Sequence, residues 1–493
     1  VSDSATAPST PRDLADFSDR LSPMLVKELR QGMRTNLFTI SFILLQAFMV
    51  ICILTGAADP QGSSQTVSGF FWFFLTATLI FVMPIRGFSA LSSEIKLDTI
   101  DLLSLTRLDA LRITFGKWAA LVAQTLLFVA SVLPYIVMRY FFGGVDIFQE
   151  LLLILGATLL SCLLTAITVG FSSFSSLLIR IAVIGSIFFF LFAGGMGLLA
   201  TSAMGGGSIG VSATVEWLDY LAVGFSALFG IAFLLDFGAS RIAAESANHS
   251  TRKRLSIVAF LLVLGTLAGF GASASLCAIV GSLMLSLALI DALTEPPTLV
   301  PSVYRSFAKN PLSRLAARFL APGWHTALGF FTLLLVVAAA LLQSIDLLDF
   351  SLSDKDHLLT FLSQAGVVVL PLPIIHLFIQ RVTHTRAFFS AYLLVQICLS
   401  AVAIFVTAVA DSASGVAGIL YVCFPIPHVT LALGLENDAD TYFIVAAASF
   451  LLLSLLIWYL RARPLLKQSN EIMRLLKEGQ PEDTIPTERF LKD

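Results

Sequence analysis

Several residue groups in this 493-residue chain have the types that chemistry requires. Gly206-Gly207-Ser208-Ile209-Gly210 fits the GxSxG corner of serine hydrolases, in which a strand-to-helix turn lifts a hydroxyl toward a histidine and an acid. Here it follows an expected membrane span inside a glycine-rich loop, so no catalytic serine is expected. Gly116-Lys117 ends like a phosphate-binding loop, but Leu111 replaces the upstream glycine and Trp118 the hydroxyl residue, so this chain lacks a Walker A sequence. Six histidines form no i, i+4 pair, and Cys52, Cys162, Cys277, Cys398 and Cys423 sit singly in apolar runs, which gives neither a metal site nor a disulfide framework. Ionisable residues within spans often mark ion pathways. Of Arg180, Asp219, Asp236, Asp291 and His376, all but His376 lie near an expected span end, where they can snorkel or meet water. Gln124, Gln343, Gln364 and Gln396 add polar contacts. There remains the polar passage 86–117, whose residues suit mechanical docking and not bond chemistry.

The elements that position this passage follow from composition. With 57% hydrophobic and 13% charged residues and a mean hydropathy of +0.90, the chain is far from the roughly 25% charged composition of soluble domains. It is expected to be an all-α, polytopic helical membrane protein of about twelve transmembrane helices in a 6+6 arrangement, since a lone helix satisfies its own backbone in lipid. Spans are expected near 37–55, 68–85, 118–141, 149–172, 176–203, 217–237, 255–272, 274–293, 326–347, 359–379, 388–410 and 442–460. The apolar segment 416–435 contains Pro425, Pro427 and Gly434 and reads as re-entrant at the outer face, an ordinary kinked span being the competing reading.

Basic residues accumulate on the cytoplasmic side of membrane proteins. With both termini inside, 28 of the 30 Lys and Arg residues are cytoplasmic, and Arg139 and Lys355 are the exceptions. A full crossing at 416–435 would place Arg461, Arg463 and Lys467 on the wrong face. The net charge of −2 averages an acidic exterior with a more basic interior and shows no sign of nucleic-acid binding. Residues 1–36 are too long and acidic for the start of a cleaved signal, so the first apolar run is expected to remain as a span.

The expected organisation is a cytoplasmic N-terminus (1–36), a first six-helix half (37–237), a second half (238–460) with a cytoplasmic loop at 294–325, and a cytoplasmic tail (461–493). Gly265 and Gly269 offer a helix-packing face. Ser22 and Pro23 suit a helix start. Leu21, Leu25, Leu29 and Met33 then recur at four-residue steps, with Lys27, Glu28, Arg30, Gln31 and Arg34 among them, as in a helix lying in the membrane interface. A basic flank that happens to be helical gives the same pattern. Asn310-Pro311 starts a second amphipathic helix, with Leu312, Leu315, Ala316 and Phe319 opposite Arg314 and Arg318. Within 94–106, Ile95, Leu97, Ile100, Leu102, Leu103 and Leu105 alternate with polar residues, which suits either a docking helix or packing beneath the spans.

These residues resemble the permeases of the ABC-2 exporter family. Ser22-Pro23-Met24-Leu25-Val26-Lys27-Glu28-Leu29-Arg30-Gln31, leading through Arg34 into a span, is similar to their interfacial start. In their loop after the second span, Glu94, Thr99, Asp101, Leu102, Leu103, Thr106, Gly116 and Lys117 match the family pattern in order. Asp98 replaces the usual glycine and Arg107 the usual proline. The resemblance covers about residues 20–175. It implies that Glu94, Thr99, Asp101, Leu102, Leu103 and Thr106 belong to a coupling helix over about 98–110, seated on a separate ABC ATPase subunit that holds ATP and Mg. The chain itself would be a non-catalytic, multi-pass subunit in the cell membrane, completed by a second copy, another permease or its own second half. An ion-gradient-driven carrier and a non-transporting assembly factor are the alternatives. No residue selects a substrate.

Overall fold

The computed structural model describes residues 23–58, 64–92, 95, 109–142, 146–174, 176, 179–185, 217–244, 246–345, 355–385, 387–412 and 441–478. About 89% of it is helical, and no strand occurs among the described residues. Among the described residues ten helices are long and apolar enough to cross a membrane, and each falls on an expected span. The expected span at 255–272 corresponds to a 21-residue helix, His249–Gly269, whose Arg252, Lys253 and Arg254 keep it from being one of the ten. Most of the expected fifth span lies outside the described residues, as do the re-entrant segment 416–435 and the end of the tail from 479.

Packing divides the chain into two compact units at Ser172/Ser173, whereas the sequence was cut near 238. The first unit contains α1 (Pro23–Met33), α2 (Asn36–Ala58), α3 (Ser64–Ala77), a π-helical turn (Thr78–Val82), α4 (Met83–Gly87), α5 (Ala110–Phe142) and α6 (Ile147–Phe171). Only 17% of the apolar window of α2 is buried, so most of this helix is free to face lipid. Its buried stripe, Leu45, Met49 and Cys52, packs with Phe71, Leu75 and Phe128 from its neighbours. That spacing of four and three residues puts all three on one helical face.

Arg139, an exception to the charge rule, donates to Glu150 Oε2 at 3.1 Å and to Ser68 Oγ at 2.6 Å. Its guanidinium also lies over the Phe71 ring, 4.3 Å from the centroid. Glu150 offers its other oxygen to Trp72 Nε1 at 3.4 Å. The arginine is therefore neutralised by an acid one turn into the next helix, which removes the cost of leaving it alone.

The second unit contains α7 (Trp217–Ile242), α8 (His249–Gly269), α9 (Ala274–Leu293), α10 (Pro301–Ala308), α11 (Pro311–Leu320), α12 (Trp324–Ile345), α13 (Lys355–Val369), α14 (Pro371–Phe378), α15 (Phe388–Ser412) and α16 (Thr441–Lys477). Leu218 and Phe233 of α7 share a core with Phe260, Leu289 and Phe330, which is why α7 groups with the chain that follows it. The expected span 359–379 is two helices meeting at Leu370, where Pro371 and Pro373 interrupt the backbone donors. The expected last span and tail helix are one 37-residue helix that runs through Pro464. Leu465, Ile472 and Met473 on its far part are buried with Val303, Tyr304 and Phe307. An added Cβ on Gly269 meets open space among the described residues.

Candidate functional site

The amphipathic stretch before the first span is helical as α1 over Pro23–Met33, and the residues before Pro23 lie outside the described ones. Lys27, Arg30, Gln31 and Arg34 are exposed, while Glu28 is half-buried. Glu28 Oε1 accepts from Lys117 Nζ at 3.1 Å, and the side chains are 18% and 4% exposed respectively. Arg86, at the end of the second expected span, donates through Nη2 to Gly32 O at 2.9 Å and to Thr35 Oγ1 at 3.3 Å. Its guanidinium lies 5.5 Å from the Phe38 ring centroid. A Cβ on Gly32 would collide with the Gln124 amide, so that side chain would have to move to admit one. Gln124 is buried on α5, and its Oε1 has no hydrogen-bond partner among the described residues.

Arg86, in α4, and Lys117, early in α5, sit on the helices that lead into and out of the polar passage, and both are fastened to α1 or the turn after it. Between them, the Leu91 N–H donates to Ser172 Oγ at 3.1 Å, and Gly87 packs against Thr168 with no space for a Cβ. The passage thus leaves from and returns to a braced frame. A cleft of about 360 Å³ opens beside it, lined by Gln31, Thr35, Arg86, Ser89, Lys117 and Gln124 among others. Glu94, Thr99, Asp101, Leu102, Leu103 and Thr106 lie outside the described residues.

One expectation requires correction here. Gly116-Lys117 was read as the close of the polar passage, with the third span starting near 118. Instead α5 begins at Ala110, and both residues sit within its second turn. The apolar residues Leu111, Ile113 and Phe115 continue the helical pattern upstream, and no proline or glycine stops it before Gly116. A lysine in a continuous helix does not form a phosphate loop, which requires free backbone N–H groups around the anion.

The second unit holds a polar cluster that sequence reading missed. Asp236 accepts from Arg252 Nε at 3.0 Å and pairs with His249 Nδ1 at 2.8 Å. Asp291 accepts from Lys253 Nζ at 2.5 Å and from Arg241 Nη2 at 3.1 Å. Glu295 pairs with Arg254, which also donates to Ala321 O at 2.7 Å, Gly323 O at 3.0 Å and Thr326 Oγ1 at 2.8 Å. Asp236 and Asp291 were expected to snorkel or meet water, yet both are buried and paired. Their partners come from Arg252-Lys253-Arg254, which in sequence looks like any basic flank. Only packing of the ends of α7, α8 and α9 brings them together.

Among the described residues no three His, Cys, Asp or Glu side chains are grouped as metal ligands would be. The first unit's arrangement can transmit displacement, since its charged contacts tie an exposed helix to two expected spans. The second unit's cluster can lock three helix ends. No family model, curated protein or solved structure matches the chain.

Proposed function

We propose that the chain is the membrane-spanning, non-hydrolytic permease subunit of an ABC exporter, moving its substrate when a separate ATPase subunit pushes on the passage 86–117. The observation that carries this reading is the bracing of the two helices that flank the passage: Arg86, in α4, on Gly32 and Thr35, and Lys117, early in α5, on Glu28. A loop that merely joins two helices needs no such frame. A segment that receives force does, because displacement reaches the spans only through contacts that do not yield. The ordered match of Glu94, Thr99, Asp101, Leu102, Leu103 and Thr106 to the ABC-2 pattern supplies the docking surface, and ATP with Mg belongs to the partner. With the termini on the cytoplasmic side, as the charge count has them, α1 and this surface face that partner.

The reading is tested by changing Leu102 and Leu103 together to Asp. The ATPase should be lost from the purified complex while the permease stays folded, and unchanged retention would refute the docking role.

The buried carboxylates Asp236 and Asp291 favour a second reading, an ion-gradient-driven carrier, because paired acids at helix ends can exchange protons or cations. Transport in vesicles separates the two. Export that continues without any ATPase and stops when the ion gradient is collapsed would select the carrier.

A further inference from the structure

The amphipathic helix α11 was expected to set Leu312 and Leu315 opposite Arg314 and Arg318, and the structure brings the two stripes together at one edge, where Leu315 lines the same cleft as both arginines. Leu312 and Leu315 are 76% and 50% exposed. Arg314 and Arg318, one turn apart on the other stripe, line a cleft of about 430 Å³ together with Asn470 and Arg474 of α16. No carboxylate lines this cleft among the described residues. Arg474 does donate through Nε to Glu478 at 3.1 Å, but that pair is largely in solvent. Arg314 Nε is buried and has no hydrogen-bond partner among the described residues. Three guanidinium groups facing one space with a single exposed acid beside them form a site of net positive charge, and its geometry favours a phosphate oxyanion.

The position of α11 distinguishes a lipid phosphate from a free one. The helix is joined to α12 by three residues, 321–323, and its last turn folds back along that span. Arg318 O lies 2.6 Å from where a Cβ on Gly329 would be, five residues into α12. Arg254, where the apolar run of α8 begins, holds Phe319 O at 3.1 Å and Ala321 O at 2.7 Å. The C-terminal end of α11 therefore lies level with the start of α12, a membrane-length helix, and of the apolar run of α8, where headgroups are found. Exposed leucines on the same helix belong in the acyl boundary, as in interfacial helices that bind anionic lipid.

We propose that the cleft between α11 and the far part of α16 binds the phosphate of an anionic phospholipid headgroup, with Leu312 and Leu315 against its acyl chains. The site is independent of the ATPase-coupling reading.

The test is a titration of the purified full-length chain in detergent with phosphatidylglycerol, phosphatidylcholine or inorganic phosphate, read as thermal stabilisation. Phosphatidylglycerol alone should stabilise the wild type. Its apparent affinity should fall about fivefold for each guanidinium removed, so roughly 25-fold in Arg314→Gln/Arg318→Gln. Arg314→Lys/Arg318→Lys, which keeps the charge, should retain most of the response. Leu312→Ser/Leu315→Ser should weaken the lipid response while leaving the guanidinium groups in place. If the double glutamine variant does not fold, Arg318→Gln alone, at an exposed position, should still show the fivefold loss. An unchanged titration in the glutamine variants overturns the proposal. Equal stabilisation by inorganic phosphate overturns the lipid assignment, and loss of a bound ATPase with intact lipid binding identifies a protein-facing surface instead.

Discussion

The Glu28–Lys117 pair makes an asymmetric prediction. Lys117 is almost wholly buried, with 4% of its side chain exposed, whereas Glu28 keeps 18% of its own in contact with solvent. Removing one partner of a buried pair costs about 3–5 kcal/mol, because the other charge is left uncompensated. Glu28→Ala takes this carboxylate from the buried lysine, and since the cleft beside it admits some water, the loss should be near the lower end, about 3 kcal/mol. Lys117→Met keeps the volume and strands only the carboxylate, which turns toward solvent, so the loss should be about 1 kcal/mol. The double variant leaves no stranded charge and should lie within about 1 kcal/mol of wild type. The assay is thermal unfolding of the purified full-length chain at fixed detergent and pH. The predicted order of stability places Glu28→Ala lowest, with Lys117→Met and the double variant together above it. If Lys117→Met is as damaging as Glu28→Ala, or if the double variant shows the sum of both losses, the pair does not brace α1 against α5.

Further outcomes follow from other packed positions. Glu150→Ala strands Arg139, which is 6% exposed, and should cost about 3–5 kcal/mol in the same unfolding assay. Glu150→Gln, which keeps an acceptor, should lose less. Gly329→Ala pushes a methyl against Arg318 O and should cost about 1–3 kcal/mol, whereas Gly156→Ala, with open space around it, should be neutral or slightly stabilising. The Tyr304 hydroxyl is buried and has no hydrogen-bond partner among the described residues, so Tyr304→Phe should be neutral or gain about 1 kcal/mol at pH 7. Burial pushes this phenol above its usual value of 10, so the folded state holds its proton when the unfolded chain releases it. Stability should therefore fall as pH rises past 10, and less steeply in Tyr304→Phe.

Much of the helical architecture was legible because long apolar runs in lipid have one outcome, and ten of the expected spans coincide with membrane-length helices. The helix start written in Asn310-Pro311 was also legible, since fixed φ and local side-chain acceptors act within one turn. What sequence hid was long-range pairing. Nothing near Lys117 announces Glu28, 89 residues away, and nothing in Arg252-Lys253-Arg254 separates a solvated flank from the partners of Asp236, Asp291 and Glu295, of which Lys253 and Arg254 are buried. The start of α5 was misplaced by eight residues because polarity was taken to end the helix, whereas Arg112 and Lys117 fit its pattern without interrupting it. The break at Leu370 was within reach, since Pro371 and Pro373 sit in mid-span.

The central claim is that this chain works under an ATPase it does not contain. Affinity purification of the full-length chain from its native membrane, with the bound proteins identified by mass spectrometry, tests this directly. The proposal predicts one protein bearing Walker A and Walker B motifs at a fixed ratio to this chain, lost when Leu102 and Leu103 are both changed to Asp. A stably folded chain that retains no such protein, and that transports when only an ion gradient is supplied, would contradict it.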